Sequence, residues 1–407
     1  MNTLVEAETR VRLARQQAKS RSESRHCFVG NMHITARQLF GGSACNNHLD
    51  WFAGSKVYYV HTARTAIRKT MSLLNLRGGD EILVPAYHCG SEVDVILQTG
   101  ADVRLFRVSS AGQIDIDDLQ KRITSRTKAV YVIHYFGFPQ PLAEIGELCR
   151  VQGLYLIEDC ALSLLSEVEG RRIGSFGDVA VYNFPKTLPV PDGGALVINN
   201  PELQCRDWAR RGPGISNTIS NLFPLLRQTV LHGFPHAVAR LLFAALRSPH
   251  RSKHFSSLSR PEIPDSYYFS RAIGDRKLSR VSAWLMQSMD LAEIRACRRL
   301  NYSLLLKQIL PITGHEPLFK ILPAGVCPLS LPIVTRNARE LAHKLRAQSI
   351  PAIAWWSGYH RSFPNCGGFE EARFLKDHVV ALPIHHQLDA GAVDFIAAAI
   401  AGLLPAS

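Results

Sequence analysis

Nowhere in the sequence does an apolar run reach the length needed to span a bilayer, and the first residues lack the apolar core of a secretory signal. Membrane-spanning and exported classes are therefore not expected. The nine cysteines are odd in number and contain no C-x-x-C pair, unlike a disulfide framework or a zinc ribbon. They read as reduced, mostly buried thiols of a cytoplasmic protein. His385 and His386 have no third ligand at metal spacing, so no metal is expected. Acidic residues are the scarcer charge, 34 against 47 basic ones, for a net +13. No basic motif with interleaved aromatics accompanies that surplus, which argues against a nucleic-acid partner. The surplus gathers in "TRVRLARQQAKSRSESRHC" at the start and in "ARLLFAALRSPHRSKHFSSLSRPE" near residues 239–262. The plain reading is a solvated arm and a solvated insertion. The sharper readings are attraction of an anionic substrate or of an acidic membrane surface.

What is present is a chain of 407 residues, 46% hydrophobic and 20% charged, enough for a large core and more than one domain. From residue 56 strands and helices alternate. "KVYYV", "EILVPAY", "DVRLFRV", "KAVYVIHYF" and "LYLIEDC" read as strands. "TAIRKTMSLLNL", "SEVDVILQTG", "IDIDDLQKRI" and "PLAEIGELCRVQG" read as helices, the third entered through Asp115 with Asp117 and Asp118 in its first turn. This rhythm predicts an α/β fold with a mostly parallel central sheet wrapped by helices. It breaks after residue 200, where a helical, proline-rich and basic stretch follows. "LFPLLRQTVLHGFPHAVARLLFAALR" there has the pattern of an amphipathic helix, packed on its own domain or lying on a surface. "LAEIRACRRLNYSLLLKQIL" reads as a long connecting helix, and the remainder as a smaller α+β domain. The expected divisions are a basic arm over 1–50, a large domain over 51–290 with a helical insertion at about 205–275, and a small domain over 291–407.

In an open parallel sheet, ligands sit at the carboxyl ends of the strands. Thr62, Ala63 and Arg64 follow the first strand at a helix start, where free N–H groups and the helix dipole suit a phosphate. Tyr87 and His88 follow the second strand. Asp159 ends an otherwise apolar strand, where an unpaired carboxylate is costly, and Lys186 follows "VAVYNFP" between two prolines. A phosphate cradle, an aromatic or imidazole, a carboxylate and a lysine together suit pyridoxal 5'-phosphate. That cofactor needs an amine to condense with its aldehyde and a carboxylate to keep its ring nitrogen protonated. Asp178 reads as structural, fixing the turn before a strand. His134 fits a core histidine as well as a cofactor contact, and Trp355 and Trp356 fit a substrate mouth as well as packing.

The same stretch resembles the DegT/StrS-type sugar aminotransferases, a branch of the fold-type-I pyridoxal phosphate enzymes. The likeness is carried by Glu158-Asp159-Cys160-Ala161, Gly174-Ser175-Phe176-Gly177-Asp178, Tyr182-Asn183-Phe184, Lys186 and Asp192-Gly193-Gly194. "GGDEILVPAY" and "TARTAI" upstream, and "DHVVALPIHHQL" downstream, also resemble family segments. The resemblance implies a fold-type-I fold and conversion of a nucleotide-linked keto sugar to an amino sugar, with glutamate as amino donor. It further implies a homodimer with sites at the interface, and a role in polysaccharide or glycoside biosynthesis. On that likeness Lys186 carries the cofactor and moves the substrate proton, and Asp159 holds the ring nitrogen. Thr62 to Arg64 and Asn183 hold the phosphate, and Tyr87, His88 or Cys89 stacks on the ring, with Tyr87 and His88 favoured. The chain departs from the pattern at Asn183, where many members have a serine two residues further from the lysine. It departs again at Leu162, where they have glutamine or histidine, and Ser163 is one candidate replacement. Arg280 sits where the family has a short element near the dimer site. The alternative reading is a catalytically silent pyridoxal-phosphate-binding protein, with peripheral membrane contact through residues 220–250.

Overall fold

The computed structural model describes residues 6–12, 29–40, 51–205, 211–232, 262–270 and 275–403. The expected strands form in order: β1 Lys56–Val60, β2 Glu81–Pro85, β3 Asp102–Phe106, β4 Thr127–Ile133 and β5 Tyr155–Asp159. A two-stranded hairpin, β6 Glu167–Val168 and β7 Arg171–Arg172, precedes β8 Val179–Asn183 and β9 Gly194–Ile198. The seven-stranded sheet runs β1-β9-β8-β5-β4-β2-β3. Pairing is parallel from β3 through β2, β4 and β5 to β8, whereas β9 runs antiparallel between β8 and β1. β2, β5 and β9 are almost wholly buried, the near-continuous apolar reading of a sheet covered on both faces.

The helices carry the sheet's connections. α1 Ala63–Leu73 is capped by Thr62, whose Oγ1 accepts from Thr65 N at 3.3 Å. α2 Ser91–Leu97 follows Gly90 at φ +93. α3 Ile116–Lys121 is entered through Asp115, which accepts from Asp118 N at 3.0 Å. α4 Leu142–Gln152 ends at Gly153 in the left-handed region. In the basic stretch α5 Ile215–His232 forms, then α6 Arg280–Gln287 and the long α7 Leu291–Ile309.

α7 leads to a second, antiparallel sheet in the order β10-β11-β13-β12. Its strands are β10 His315–Pro317, β11 Ser330–Thr335, β12 Ile353–Ala354 and β13 Val379–Pro383, with α8 Ala338–Ala347, α9 Glu370–His378 and α10 Ala390–Ala401 around them. One hydrophobic cluster runs through both sheets, from Val84 and Ile157 to Ile333 and Val380.

Part of the N-terminal arm departs from the solvated reading. Val29 and Ile34 are completely buried, and His33 exchanges two hydrogen bonds with the side chain of Gln387. The apolar residues that interrupt the polar run give it a face to bury. Residues 1–5, 13–28 and 233–261, which carry much of the basic surplus, lie outside the described residues.

Candidate functional site

Two strand ends and one helix start create the site. β5 and β8 are adjacent and parallel, with Asp159 level with Val181. The chain then turns through Pro185, with Thr187 N and Leu188 N both donating to Phe184 O at 3.0 and 2.8 Å, and this turn carries Lys186. Next comes Asp192-Gly193-Gly194. Gly193 sits at φ +127 and donates its N–H to His61 O at 2.8 Å. A Cβ at Gly194 would collide with Tyr182 O and come within 3.1 Å of Ala63 N. Only glycine lets β9 approach the first turn of α1 so closely. Asp192 Oδ1 accepts from Ser279 N at 3.0 Å, tying the turn to the entrance of α6.

These elements enclose a cavity of about 670 Å³ whose wall includes Thr62, Ala63, Arg64, Asp159, Asn183 and Lys186. Asp159 Oδ2 accepts from Tyr131 Oη at 2.7 Å, and Oδ1 from Ala161 N at 2.8 Å. Burial, then the nearby Glu92 carboxylate, pushes the Asp159 carboxyl up, against the pull of Lys186 and the two donors. Each Asp159 oxygen keeps a lone pair for one further donor. Asn183 Oδ1 is buried without a partner. Thr65 N is taken by Thr62, whereas the N–H groups of Ala63 and Arg64 have no intrahelical acceptor, and both residues line this cavity. Arg64 Nη1 donates to the carbonyls of Ser266, Tyr267 and Tyr268 at 2.8 to 3.3 Å, and burial pulls its pKa down.

Tyr87 and His88 do not line this cavity. Both are buried behind it. Tyr135 Oη donates to Tyr87 O at 2.6 Å, and the Tyr87 ring lies 5.1 Å from Tyr135 and 5.2 Å from Trp356. Lys376 Nζ donates to His88 O at 2.7 Å. The wall position in that loop belongs to Cys89, whose Sγ lies 2.6 Å from Glu92 Oε2. Burial and Glu92 push the Cys89 thiol up to about 12. Cys89 was the least favoured of the three candidates in this loop, and Glu92 carried no sequence signal beyond the helix start that follows Gly90. Trp355, Trp356 and Leu162 line the cavity, and Ser163 is buried outside its wall.

Glu158, the other half of the acidic pair, faces away from Asp159, as alternation along a strand requires. Its oxygens accept from Gly174 N, Phe176 N and Gly177 N at 2.8, 2.8 and 2.6 Å. His134 Nδ1 accepts from Gln140 N, so Nε2 carries the proton and donates to Glu158 at 3.2 Å. His134 is thus a satisfied core histidine. Glu158, His134 and Cys160 lie within metal-binding reach of one another, but Glu158 is already bound by backbone donors. Asp178 accepts from Leu156 N and Asn200 Nδ2 at 2.8 and 2.7 Å, fastening the turn before β8. Arg280 opens α6 and is exposed.

A mostly parallel sheet with a lysine and an aspartate at adjacent strand ends, beside a second small sheet, is the aminotransferase fold. The chain superposes on Spr1654 of Streptococcus pneumoniae, solved in its PLP form, with a TM-score of 0.64 at 15% identity, over 99% of this chain and 96% of that one. Residues 51–222 match the model of the DegT/DnrJ/EryC1/StrS aminotransferase family. Over 144 residues it is 34% identical to the GDP-perosamine synthase of Vibrio cholerae, a match covering 35% of this chain and 39% of that protein. Over 159 residues it is 35% identical to the dTDP-4-dehydro-2,3,6-trideoxy-D-glucose 4-aminotransferase of Saccharopolyspora spinosa, covering 38% and 41%. The similarity therefore spans about two fifths of each relative's length.

Proposed function

We propose that this protein is a pyridoxal-phosphate-dependent aminotransferase that converts a nucleotide-linked keto sugar to an amino sugar, with glutamate as donor, and works as a homodimer in the cytoplasm. Residues 51–290 and 291–407 would be its two domains. The observation that carries the reading is one cavity holding an amine, Lys186, a buried carboxylate, Asp159, and the open N-terminus of α1. The residues fit the cofactor: a phosphate meets the α1 N–H groups, Arg64 and the side-chain N–H of Asn183, all from residues that line the cavity. Asp159, fixed by Tyr131 and Ala161 N, has lone pairs left for a protonated ring nitrogen, and that cation would draw its raised pKa back down.

When bound, pyridoxal phosphate supplies an aldehyde and an electron-withdrawing ring. Lys186 Nζ would hold the group through that aldehyde and, as a free amine, would take and return the proton at the substrate carbon. Ala161, Leu162, Trp355 and Trp356 shield that chemistry from water. Nucleotide-linked sugars enter through the relatives, which are named for GDP- and dTDP-sugars. Borohydride treatment of protein incubated with pyridoxal phosphate should leave a reduced adduct on the peptide containing Lys186. An adduct elsewhere, or none, sinks the reading. Leu162 in the wall favours the silent alternative, which the same protein would satisfy if it trapped the cofactor but turned over no nucleotide keto sugar.

A peripheral contact with an anionic membrane surface rests on α5. Ile215, Ile219, Phe223, Leu226 and Val230 fall on one face of the helix, and all are exposed, Ile215 by 80%. The adjoining flank is engaged: Leu222 and Leu225 pack on the core, and Thr229 Oγ1 donates to Ile34 O at 2.7 Å. Between Asp207 and Glu262 the sequence has eight Lys and Arg residues and no acid. An apolar stripe within a basic stretch of sequence matches acidic headgroups above an acyl boundary. Among the described residues no helix is long and apolar enough to cross a membrane. The Ile219→Ser/Phe223→Ser variant should co-sediment roughly tenfold less than wild type with phosphatidylglycerol-containing vesicles. Equal sedimentation overturns the contact, as does a loss of self-association, which would assign the stripe to a second copy.

A further inference from the structure

Lys376 lies in the last turn of α9, on the face that buries Ala372 and Leu375, and only 1% of it is exposed. An ammonium has three N–H donors, and here all of them go to backbone carbonyls. Nζ donates to His88 O at 2.7 Å, Trp356 O at 2.8 Å and Gly358 O at 2.9 Å. Burying a cation on neutral partners is costly. Burial accordingly pulls the Lys376 pKa down, while Cys366, Cys89, Glu92 and Asp377 act the other way.

The three carbonyls belong to separate stretches around the cavity. His88 precedes Cys89, the wall residue of the loop after β2. Trp355, Trp356, Ser357 and Gly358 line the cavity on the stretch after β12. Gly358 also seats a third stretch. A Cβ there would come within 3.2 Å of Ile263 Cα, and Ile263 N donates to Tyr359 O at 3.0 Å. Ile263 and Pro264 are wall residues too. One nitrogen thus braces this side of the cavity, and its bonds reach none of Asp159, Asn183, Lys186 and the α1 start.

Trp356 shows what the brace holds. Its φ is +54, in the left-handed region that a bulky side chain rarely occupies. Such a conformation persists only where its surroundings over-determine it. The ring is fixed by Tyr87, Tyr135 and Trp355 at 5.2, 5.9 and 5.6 Å, and the carbonyl by Lys376. Trp355 N donates to Val379 O at 2.9 Å, which anchors the other end of the pair.

We propose that Lys376 is a positioning residue for the nucleotide-linked sugar. Its ammonium sets the Trp355-Trp356 wall against the Cys89 loop and so fixes the aromatic surface that the sugar nucleotide meets. The ligand class rests on the aminotransferase reading; the brace does not. A displacement of about 1 Å in a group that positions substrate is enough to cost binding or rate.

The probes are GDP-mannose and dTDP-glucose. They carry the diphosphates for which the relatives are named but no keto group to react. Each is titrated calorimetrically into the full-length protein loaded with pyridoxal phosphate, and wild type should bind at least one. Lys376→Met removes the donors at similar length and should weaken that ligand roughly tenfold. Trp356→Gly removes the ring, takes φ +54 without strain and leaves Lys376 in place, and should weaken it to a similar extent. Because Lys376 acts through Trp356, the double variant should lose about tenfold rather than about a hundredfold. Lys376→Gln keeps part of the donor set, should fall between wild type and Lys376→Met, and replaces the latter in the cycle if methionine gives insoluble protein. Binding of neither probe by wild type, wild-type affinity in Trp356→Gly or Lys376→Met, or additive losses in the double variant each overturns the assignment. Borohydride trapping at Lys186 should be equal in every variant, and its loss in the variants alone also overturns it. Loss of trapping in wild type instead fails the aminotransferase reading, so the two are told apart.

Discussion

Lys186→Ala is expected to lower transamination by at least about 10³-fold, because positioned proton transfer alone is worth about 10² to 10⁴ and the covalent attachment is lost with it. The loss should appear in kcat rather than KM, since Asp159, Thr62 and the α1 N-terminus still line the cavity. Lys186→Arg separates charge from chemistry. A guanidinium keeps the cation in the cavity wall but stays protonated, so it neither condenses with an aldehyde nor moves the proton. It should be as inactive as the alanine variant. A small primary amine added to Lys186→Ala should restore part of the rate by entering the space vacated by the side chain, and should do nothing for Lys186→Arg. Steady-state rates with a nucleotide keto sugar and glutamate check this series. Either variant within tenfold of wild type would remove Lys186 from the chemistry.

The strand–helix alternation between residues 56 and 198 was legible because β2, β4 and β5 carry apolar runs and three of the four helices follow Thr62, Gly90 or Asp115, while the fourth follows Pro141. Asp159 and Lys186 were legible because each breaks a rule, the first as a carboxylate closing an apolar strand and the second as a cation between prolines. Which side chain of "AYHCG" reaches the cavity was not. Tyr135 and Lys376 capture the carbonyls of Tyr87 and His88 from distant parts of the chain, and Gly90 turns the loop so that Cys89 lies on the wall. Lys376 itself was hidden for a related reason. On a helix it reads as a solvated lysine, and its partners are carbonyls, which no residue letter announces. Part of the arm was misread because charge outweighs two isolated apolar residues, Val29 and Ile34, that the fold buries.

Glu158 was half legible: its presence stood out, its role did not, because its partners are backbone N–H groups of a turn sixteen to nineteen residues away. The side chain is wholly buried, so Glu158→Ala strands the N–H groups of Gly174, Phe176 and Gly177 and the Nε2 proton of His134 away from water. Hydrogen bonds to a charged group are worth about 1.5 to 3 kcal/mol each, and orphaned buried donors add their own cost, so a destabilisation of roughly 3 to 5 kcal/mol is expected. That is a large part of the roughly 5 to 15 kcal/mol that holds a typical protein folded, and low soluble yield should accompany it. Glu158→Gln should fall between. Its carbonyl oxygen can keep the shared site of Phe176 and Gly177, but its amide then presents N–H to the N–H of Gly174. Urea midpoints for the three proteins measure the series. A wild-type midpoint in Glu158→Ala would mean that the turn finds other acceptors, and that the acidic pair is not divided between a carboxylate that shapes the sheet edge and one that faces the cavity.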